Sequence, residues 1–244
     1  MIQIEHLSCT FGRLQAVNDV SLSVGARETL VLLGTSGSGK TTTLRTINRL
    51  VEPTSGTILV DGVDVRAQPA PALRRRIGYV IQDGGLFPHY TVAEAIATVP
   101  TLLDWSPEAI RDRTRELVET LRLPDSVLGR YPHELSGGQR QRVGLARALA
   151  VRPPVVLMDE PFGALDPFTR RHVRRELFGL NELSETTVVL VTHDVGEALE
   201  LADRIALMDK GRLVQTGTPG ELLTQPANAF VRDFLDDRPR RPTA

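Results

Sequence analysis

One short segment of the chain has the composition and spacing of a phosphate-binding loop. Residues 34–41 read Gly-Thr-Ser-Gly-Ser-Gly-Lys-Thr and match the pattern G-x-x-x-x-G-K-[ST]. Glycines let successive backbone N–H groups turn toward phosphate oxygens, and a following helix N-terminus adds donors and a positive dipole end. Lys40 supplies a cation for the β- and γ-phosphates, and Thr41 a hydroxyl for Mg²⁺. The residues predicted to contact the phosphates are Gly34, Thr35, Ser36, Gly37, Ser38, Gly39, Lys40, Thr41 and Thr42.

Two consecutive acids follow a second apolar run at residues 155–158. Asp159 ends that run, so we expect its carboxylate at the carboxyl edge of a sheet, where open α/β sheets bind ligands. At that edge it can hold Mg²⁺, directly or through water. Glu160 comes next and is well placed to orient, or to deprotonate, an attacking water.

A third apolar run lies at residues 187–191, and His193 follows it at the end of the predicted strand, in a position parallel to that of Asp159. An imidazole at this place can reach the γ-phosphate, or can hold the water and the acid in position. The sequence therefore predicts a functional rather than a purely structural histidine.

A second anion-binding segment lies about a hundred residues after the phosphate loop. Residues 135–139, Leu-Ser-Gly-Gly-Gln, open a helix, and a serine with two glycines at a helix start can form a nest of N–H donors. The two segments could serve two ligands. They could also both serve one ligand, if two copies of the chain pair head-to-tail with two-fold symmetry.

The remaining pattern predicts the elements that position these residues. The phosphate loop lies between an apolar strand at residues 29–33 and a helix over 42–50, in which Leu44, Ile47 and Leu50 share one face. The runs at 155–159 and 187–191 are near-continuously apolar, as strands covered on both faces are. Further strands are predicted at 2–8, 19–24, 77–81, in a hairpin over 56–65 and in a second hairpin over 204–215.

A helical subdomain is predicted inside this α/β domain, over about residues 86–150, where strand alternation is absent. Within it, Ser106 and Pro107 give a helix-start signal, and Ile110, Leu117, Val118 and Leu121 form one apolar stripe. Phe230 and Phe234 indicate a short closing helix. We expect residues 237–244 to form a disordered tail.

Composition limits the classes of function that are open to the chain. It has 244 residues, is 41% hydrophobic and carries a net charge of −1, so a sizeable core is possible and nothing favours nucleic acid as a partner. Its single cysteine, Cys9, excludes an intrachain disulfide and fits a reducing compartment. No window reaches the length of about 18 apolar residues that a membrane span needs, and the N-terminus lacks the build of a signal peptide.

Taken together, these motifs resemble those of the nucleotide-binding subunits of ATP-binding cassette (ABC) transporters. Residues 135–139 match that family's signature, which other phosphate-loop proteins lack, and we call them the signature segment. The resemblance covers residues 2–236. It implies a P-loop NTPase fold of class α/β with a mixed central sheet, an antiparallel β subdomain and the inserted helical subdomain. We therefore expect one nucleotide-binding domain over residues 1–236.

The resemblance also implies a role for individual residues. Phe11 lies where an aromatic ring stacks on adenine, although tyrosine is commoner there, and Gln82 matches the glutamine that contacts Mg²⁺ and couples to the membrane subunits. Glu160 is then the catalytic base, and His193 the switch histidine. Asp166, within residues 164–166, belongs to a loop that crosses the dimer interface. ATP is sandwiched between the phosphate loop of one copy and Ser136, Gly137, Gly138 and Gln139 of the other.

A finer resemblance concerns the transported solute. Residues 47–56, 85–92, 96–100, 166–170 and 226–231 are similar to importers of glycine betaine, choline and carnitine. This likeness implies an ATPase at the cytoplasmic face of the membrane, peripheral to transmembrane permease subunits and working with a substrate-binding protein. ATP binding closes a homodimer, and hydrolysis opens it.

Two departures from that family are visible. Some members carry tandem regulatory modules after the ATPase domain, and this sequence has none, so we expect no sensing of that kind. Asp83 follows the coupling glutamine where an uncharged residue is expected.

Other functions remain open from the sequence. An importer of another small polar solute, such as an amino acid or a polyamine, is the first alternative. A non-transport ABC ATPase of DNA repair needs long coiled coils, which the sequence lacks, and one of translation usually has two cassettes in one chain. A purely regulatory nucleotide sensor needs a defective catalytic set, whereas Lys40, Asp159, Glu160 and His193 are all present.

Overall fold

The computed structural model describes residues 1–163, 165–179 and 181–236, and the chain forms two compact units. The first unit holds Met1–Ala67 and the chain from Val189 onward, and the second holds Gln68–Val188. The tail predicted at 237–244 lies outside the described residues. No helix in the described ranges is long and apolar enough to cross a membrane.

The strands in chain order are β1 (Ile2–Phe11), β2 (Leu14–Val24), β3 (Thr29–Gly34), β4 (Ser55–Val60), β5 (Val63–Asp64), β6 (Ile77–Val80), β7 (Val155–Asp159), β8 (Thr187–Thr192), β9 (Arg204–Asp209) and β10 (Arg212–Gly217). The helices are α1 (Lys40–Ile47), α2 (Ala70–Arg75), α3 (Val92–Leu102), α4 (Pro107–Thr120), α5 (Gly137–Leu149), α6 (Pro167–Phe178), α7 (Asn181–Ser184), α8 (Val195–Leu201), α9 (Pro219–Thr224) and α10 (Ala229–Asp236).

The first unit contains an antiparallel sheet in the order β2-β1-β4-β5. Ile2 and Ile4 of β1 are buried while Gln3 between them is exposed, as a sheet with one covered face requires. The first two strands are longer than the predicted 2–8 and 19–24. Their pairing continues through register shifts as far as Phe11 opposite Leu14, so β-bulges rather than a long turn absorb the irregular residues.

A second, mixed set of strands lies in the same unit. β10 and β9 are antiparallel, and β9 and β3 are parallel. β8 follows β3 in the strand order, and its residues from Val189 onward lie in this unit. All of β8 and most of β3 are buried, which confirms that their continuous apolar runs are covered on both faces.

The helix after the phosphate loop is shorter than its apolar spacing suggests. Leu44 and Ile47 are buried as expected, but Leu50 is 47% exposed. The prediction for Leu50 was wrong because α1 ends at Ile47, and Arg49 then takes a left-handed φ of 55° that turns the chain.

The second unit contains the parallel pair β6 and β7, with helices α2 to α7. Ser106 caps α4 by accepting a hydrogen bond from the Ala109 N–H at 3.2 Å, which confirms the predicted helix start. Leu117, Val118 and Leu121 are buried, so the predicted stripe faces a core, with Ile110 half-buried at its end. Helices α3, α4 and α5 all lie within residues 92–149, inside the range predicted to be helical.

Candidate functional site

In the phosphate loop, oxygen atoms of the loop itself hold the ammonium group of Lys40. β3 ends at Gly34, and α1 begins at Lys40, which is only 5% exposed. The Lys40 Nζ donates to the carbonyl oxygens of Gly34 (2.8 Å) and Thr35 (2.6 Å) and to the Ser38 Oγ (3.3 Å). The loop therefore fixes an ammonium group beside its own backbone.

Two glycines of this loop are required by close backbone contacts. Gly34 has a φ of 151°, and a Cβ on it would lie 2.1 Å from the Met208 carbonyl oxygen. A Cβ on Gly39, whose φ is 96°, would lie 2.4 Å from the Ala16 carbonyl oxygen. Any side chain at either position would therefore push the loop away from its neighbours.

The opposite face of the loop is open. A Cβ on Gly37 would meet no heavy atom within 4 Å, and Thr35, Ser36 and Gly37 are exposed. No side chain caps α1, whose N-cap residue is Gly39, and Thr41 and Thr42 are half-buried at its start. An uncapped helix N-terminus behind an open glycine loop fits the phosphates of a nucleotide.

Phe11 lies in the same unit, at the end of β1 opposite Leu14 on β2. Its side chain is 50% exposed. An exposed ring held at a strand end is compatible with stacking on a base.

His193 follows β8 and is exposed, on a turn that its neighbours fix tightly. The Thr192 Oγ1 donates to the Glu197 Oε2 at 2.6 Å and accepts from the Asp194 N–H at 3.0 Å. Glu197 is 3% exposed, and its own N–H donates to the Asp194 Oδ1 at 2.9 Å. Sequence reasoning missed Glu197, although the Asp-x-x-Glu spacing at a helix start was a signal for it.

In the second unit, Asp159 ends β7 and is 2% exposed, as predicted for a carboxylate at a strand end. The Tyr79 hydroxyl on β6 donates to the Asp159 Oδ2 at 3.3 Å. Tyr79 was not singled out from the sequence, because the contact joins strands that are 80 residues apart. The phenol is thus one contact that helps to orient the carboxylate.

Glu160 has an unusual backbone conformation. Its φ is 43°, in the left-handed region that residues other than glycine seldom adopt. Its carbonyl oxygen accepts a hydrogen bond from the Gly163 N–H at 3.1 Å, which closes the turn after β7. A strained residue at a strand end is a frequent feature of functional sites.

Gln82 is exposed and is the first residue of a short 3₁₀ turn, Gln82–Gly84, that follows β6. The side chain of the neighbouring Asp83 lies outside what the structure describes.

The signature segment forms a capped helix N-terminus. The Ser136 Oγ accepts from the Gln139 N–H at 3.2 Å, and the Gln139 Oε1 accepts from the Ser136 N–H at 3.0 Å. This reciprocal pair is a capping box at the start of α5. The Arg140 guanidinium donates back to the Leu135 carbonyl at 2.8 Å and so fixes the approach to the helix.

A cavity of about 570 Å³ lies in front of this segment. Residues 136–139 line one side of it, and Leu165, Asp166 and Phe168 line another. The Asp166 Oδ1 accepts from the Phe168 N–H at 3.1 Å, while the Phe168 ring is 83% exposed. The structure thus brings Asp166 and the signature segment together on one open surface, whereas Ala164 lies outside the described residues.

The residues fit a magnesium nucleotide in their chemistry. In the described part of the chain, no three His, Cys, Asp or Glu side chains cluster as a metal cage would. Mg²⁺ bound with a nucleotide needs only one or two protein oxygens besides the phosphates and waters. In the first unit the Thr41 hydroxyl is an oxygen ligand of this kind, and in the second unit the Asp159 carboxylate is another.

Residues 17–163 match the family model described as ABC transporter. The glycine betaine uptake system ATP-binding protein YehX of Escherichia coli is 55% identical over 235 residues, which are 96% of this chain and 76% of that protein. The glycine betaine/carnitine/choline transport ATP-binding protein OpuCA of Bacillus subtilis is 50% identical over 236 residues, 96% of this chain and 62% of that one. The chain therefore spans between about three fifths and three quarters of these relatives.

A solved dimeric structure of the ATP-binding cassette MJ0796, in a post-hydrolysis state bound to ADP and Pi, has the same fold. Its TM-score is 0.79 at 32% identity, with 90% of this chain and 99% of that chain covered.

Proposed function

This chain belongs to the ABC transporter family of ATP-binding ATPases, and we propose that it energises the import of a quaternary-amine osmoprotectant such as glycine betaine, choline or carnitine. The observation that carries the proposal is its 55% identity, over 96% of the chain, to a relative named for glycine betaine uptake. The short matches at residues 47–56 and 85–92 agree with that solute class.

In the first unit, residues of the phosphate loop bind and orient ATP. Its backbone N–H groups hold the phosphate oxygens, and Lys40 places its charge beside the β- and γ-phosphates. Thr41 offers its hydroxyl to Mg²⁺, which neutralises charge on the transferred phosphoryl group when bound. Phe11 stacks on the adenine ring.

The acids and the histidine act on the attacking water. Glu160 is the proposed general base, and Asp159 and Gln82 are the proposed further contacts to Mg²⁺. His193 is proposed to hold the γ-phosphate and the water in line, from a turn that Thr192 and Glu197 fix.

A second copy of the chain completes the site in this proposal. The signature segment and Asp166 lie on one open cavity, which suits a surface that receives the partner's ATP. The relative MJ0796 has been solved as a dimer, and we extend that arrangement to this chain. ATP binding then closes a homodimer, and hydrolysis opens it.

We propose that the working complex also contains permease subunits and a substrate-binding protein, with this chain at the cytoplasmic face of the membrane. A groove of about 580 Å³ in the second unit supports a permease contact. It is lined by Phe87, which is 49% exposed, and by Tyr90, Glu94 and Leu102, and it begins five residues after Gln82. Import of another small polar solute, such as an amino acid or a polyamine, stays the alternative.

The test compares uptake by cells that express the wild-type chain or Glu160→Gln at equal levels in a strain lacking the native gene. The variant keeps the shape of the site but removes the base, so we expect ATP turnover to fall by about two to four orders of magnitude. Purified Glu160→Gln should elute as a dimer in Mg-ATP. A variant that elutes as a monomer would count against the assignment of the base.

In the cells, uptake of labelled glycine betaine, choline or carnitine should disappear with Glu160→Gln, while amino acid and polyamine uptake stay unchanged. Wild-type chain isolated from gently solubilised membranes should carry a permease with it. If the variant instead abolished uptake of a different solute, the proposed transport function would stand but the proposed osmoprotectant substrate would be wrong. If only soluble proteins were isolated with the chain, the proposed transport function itself would be wrong.

A further inference from the structure

One face of α5 lies directly against the turn that begins at Gln82. The face consists of Arg140, Gly144 and Arg147, which are neighbours on a helix surface because they are four and three residues apart. A Cβ on Gly144 would lie 3.1 Å from the Gly84 carbonyl oxygen and 3.2 Å from the Gly84 Cα. The two backbones are therefore in close contact, and glycine at 144 permits it.

Arg147 fastens this contact with two hydrogen bonds. Its Nη1 donates to the Gly85 carbonyl oxygen at 2.6 Å, and its Nη2 donates to the Gly84 carbonyl oxygen at 3.2 Å. Burial lowers the pKa of the Arg147 guanidinium, which nonetheless stays charged at neutral pH because an arginine pKa starts so high. Hydrogen bonds from a charged donor are roughly twice as strong as neutral ones.

The turn itself needs such support. Gly84 and Gly85 both have left-handed φ angles, of 79° and 52°, and glycine is the residue with the greatest conformational freedom when nothing holds it. The Gly84 N–H donates to the Ile81 carbonyl at 3.0 Å, so the start of the turn is closed locally. The carbonyl groups of Gly84 and Gly85, in contrast, accept hydrogen bonds from Arg147 on α5, some 60 residues away in sequence.

We propose that Arg147 is a positioning residue for ATP hydrolysis, which fixes the Gln82 turn on the helix that begins at the signature segment. The inference rests on the proposed function, since that is where Gln82 is assigned to Mg²⁺. Arg147 itself touches neither nucleotide nor metal in this proposal. It acts only through the position of Gln82.

The first measurement is steady-state ATP hydrolysis by purified Arg147→Met. We expect kcat to fall by between about tenfold and a hundredfold, as small displacements of a catalytic group do, with KM for ATP changed by less than about twofold. Arg147→Lys should recover part of the loss, because one ammonium can still donate to these carbonyls. The matched control is Arg152→Met, which removes an exposed arginine bound to Glu116 and should leave kcat unchanged.

The second measurement repeats Arg147→Met in a Gln82→Ala background. If Arg147 acts through Gln82, it should cost nothing further there, because the group it positions is gone. Gly144→Ala, which pushes the turn outward while keeping Arg147, should lower kcat less and should also lose its effect in that background. A merely structural Arg147 would instead lower kcat by the same factor in both backgrounds, and that additive result would overturn the proposal.

Further controls separate this inference from the proposed function. Wild type must first bind and hydrolyse Mg-ATP; if it does not, the proposed function fails. If wild type is active but kcat is unchanged in Arg147→Met, only the inference fails. If kcat is unchanged in Gln82→Ala alone, the proposed role of Gln82 fails and the inference fails with it. Thermal unfolding and the stoichiometry of a bound fluorescent ATP analogue report the folded fraction of each variant. If Arg147→Met does not fold, Arg147→Lys and Gly144→Ala are compared in the wild-type and Gln82→Ala backgrounds instead.

Discussion

The two helix N-termini that we propose to bind phosphate differ in how they are capped. α1 follows Gly39 and has no side-chain cap, whereas α5 follows Ser136 and is closed by a capping box with Gln139. The donors at the start of α1 are thus left for a ligand, while some of those at the start of α5 are already engaged by the protein.

The surroundings of the two N-termini differ as well. Lys40 is buried and donates hydrogen bonds to oxygens of its own loop, so the phosphate loop holds a positively charged side chain in place. The signature segment instead faces an open cavity whose far side carries the exposed Phe168 ring. The contrast fits our proposal that a single chain binds the nucleotide and that a second copy completes the site for hydrolysis.

Ser136→Arg tests this contrast with the largest expected effect. A bulky cation in place of the cap should prevent the cavity from receiving another copy's nucleotide, so hydrolysis should fall at least about a hundredfold, the loss typical of removing one preorganised donor. Nucleotide binding by the monomer, measured by calorimetry, should be unchanged.

Ser106→Arg is the matched control, because Ser106 caps α4 in the same way but does not line the cavity. It should hydrolyse ATP normally. Activity that survives in Ser136→Arg would mean that the second N-terminus serves no partner.

Lys40→Ala should produce the complementary result at the other helix. The loss of a charged donor costs about 1.5–3 kcal/mol, so ATP should bind roughly tenfold to a hundredfold more weakly. Lys210→Ala, which removes an exposed lysine from the turn between β9 and β10, should bind as wild type does. An unchanged affinity of Lys40→Ala by calorimetry would contradict the phosphate-loop interpretation.

Ser136→Ala should have a smaller effect than either of these changes, because it removes only the cap of α5. Loss of the cap should lower the free energy of unfolding by about 1 kcal/mol, which corresponds to a fall in Tm of roughly 2–4 °C. Hydrolysis should also fall by about two- to tenfold, the value of one neutral hydrogen bond. Ser106→Ala should show the same loss of Tm at normal activity; a similar loss of activity there would remove the distinction between the two caps.

The sequence was informative wherever the determinants are local. The phosphate loop, the strands predicted at 155–159 and 187–191 and the cap at Ser106 each depend on residues within a few positions of one another, and the structure has all of them. The prediction that Leu50 lies on the buried face of the helix was wrong because apolar spacing indicates the face of a helix but not its last residue.

The sequence could not supply contacts between distant segments. Tyr79 reaches Asp159 across 80 residues, and Arg147 reaches Gly85 across 62. Gly144, a helix-breaking residue inside a helix, was the one local signal that another backbone approaches α5. The catalytic roles stay predictions that the variants above test, and the domain boundaries stay predictions.

The left-handed backbone of Glu160 has a consequence for how this chain would evolve. A residue with a side chain in that conformation costs the folded state roughly 1 kcal/mol compared with glycine, and asparagine tolerates it better than glutamate does. With Glu160 as the proposed base, position 160 is a site where selection for turnover opposes selection for stability. In a lineage that retained the fold but no longer needed hydrolysis, this glutamate should be among the first of the site residues to drift, and its replacement should yield a more heat-resistant and inactive descendant.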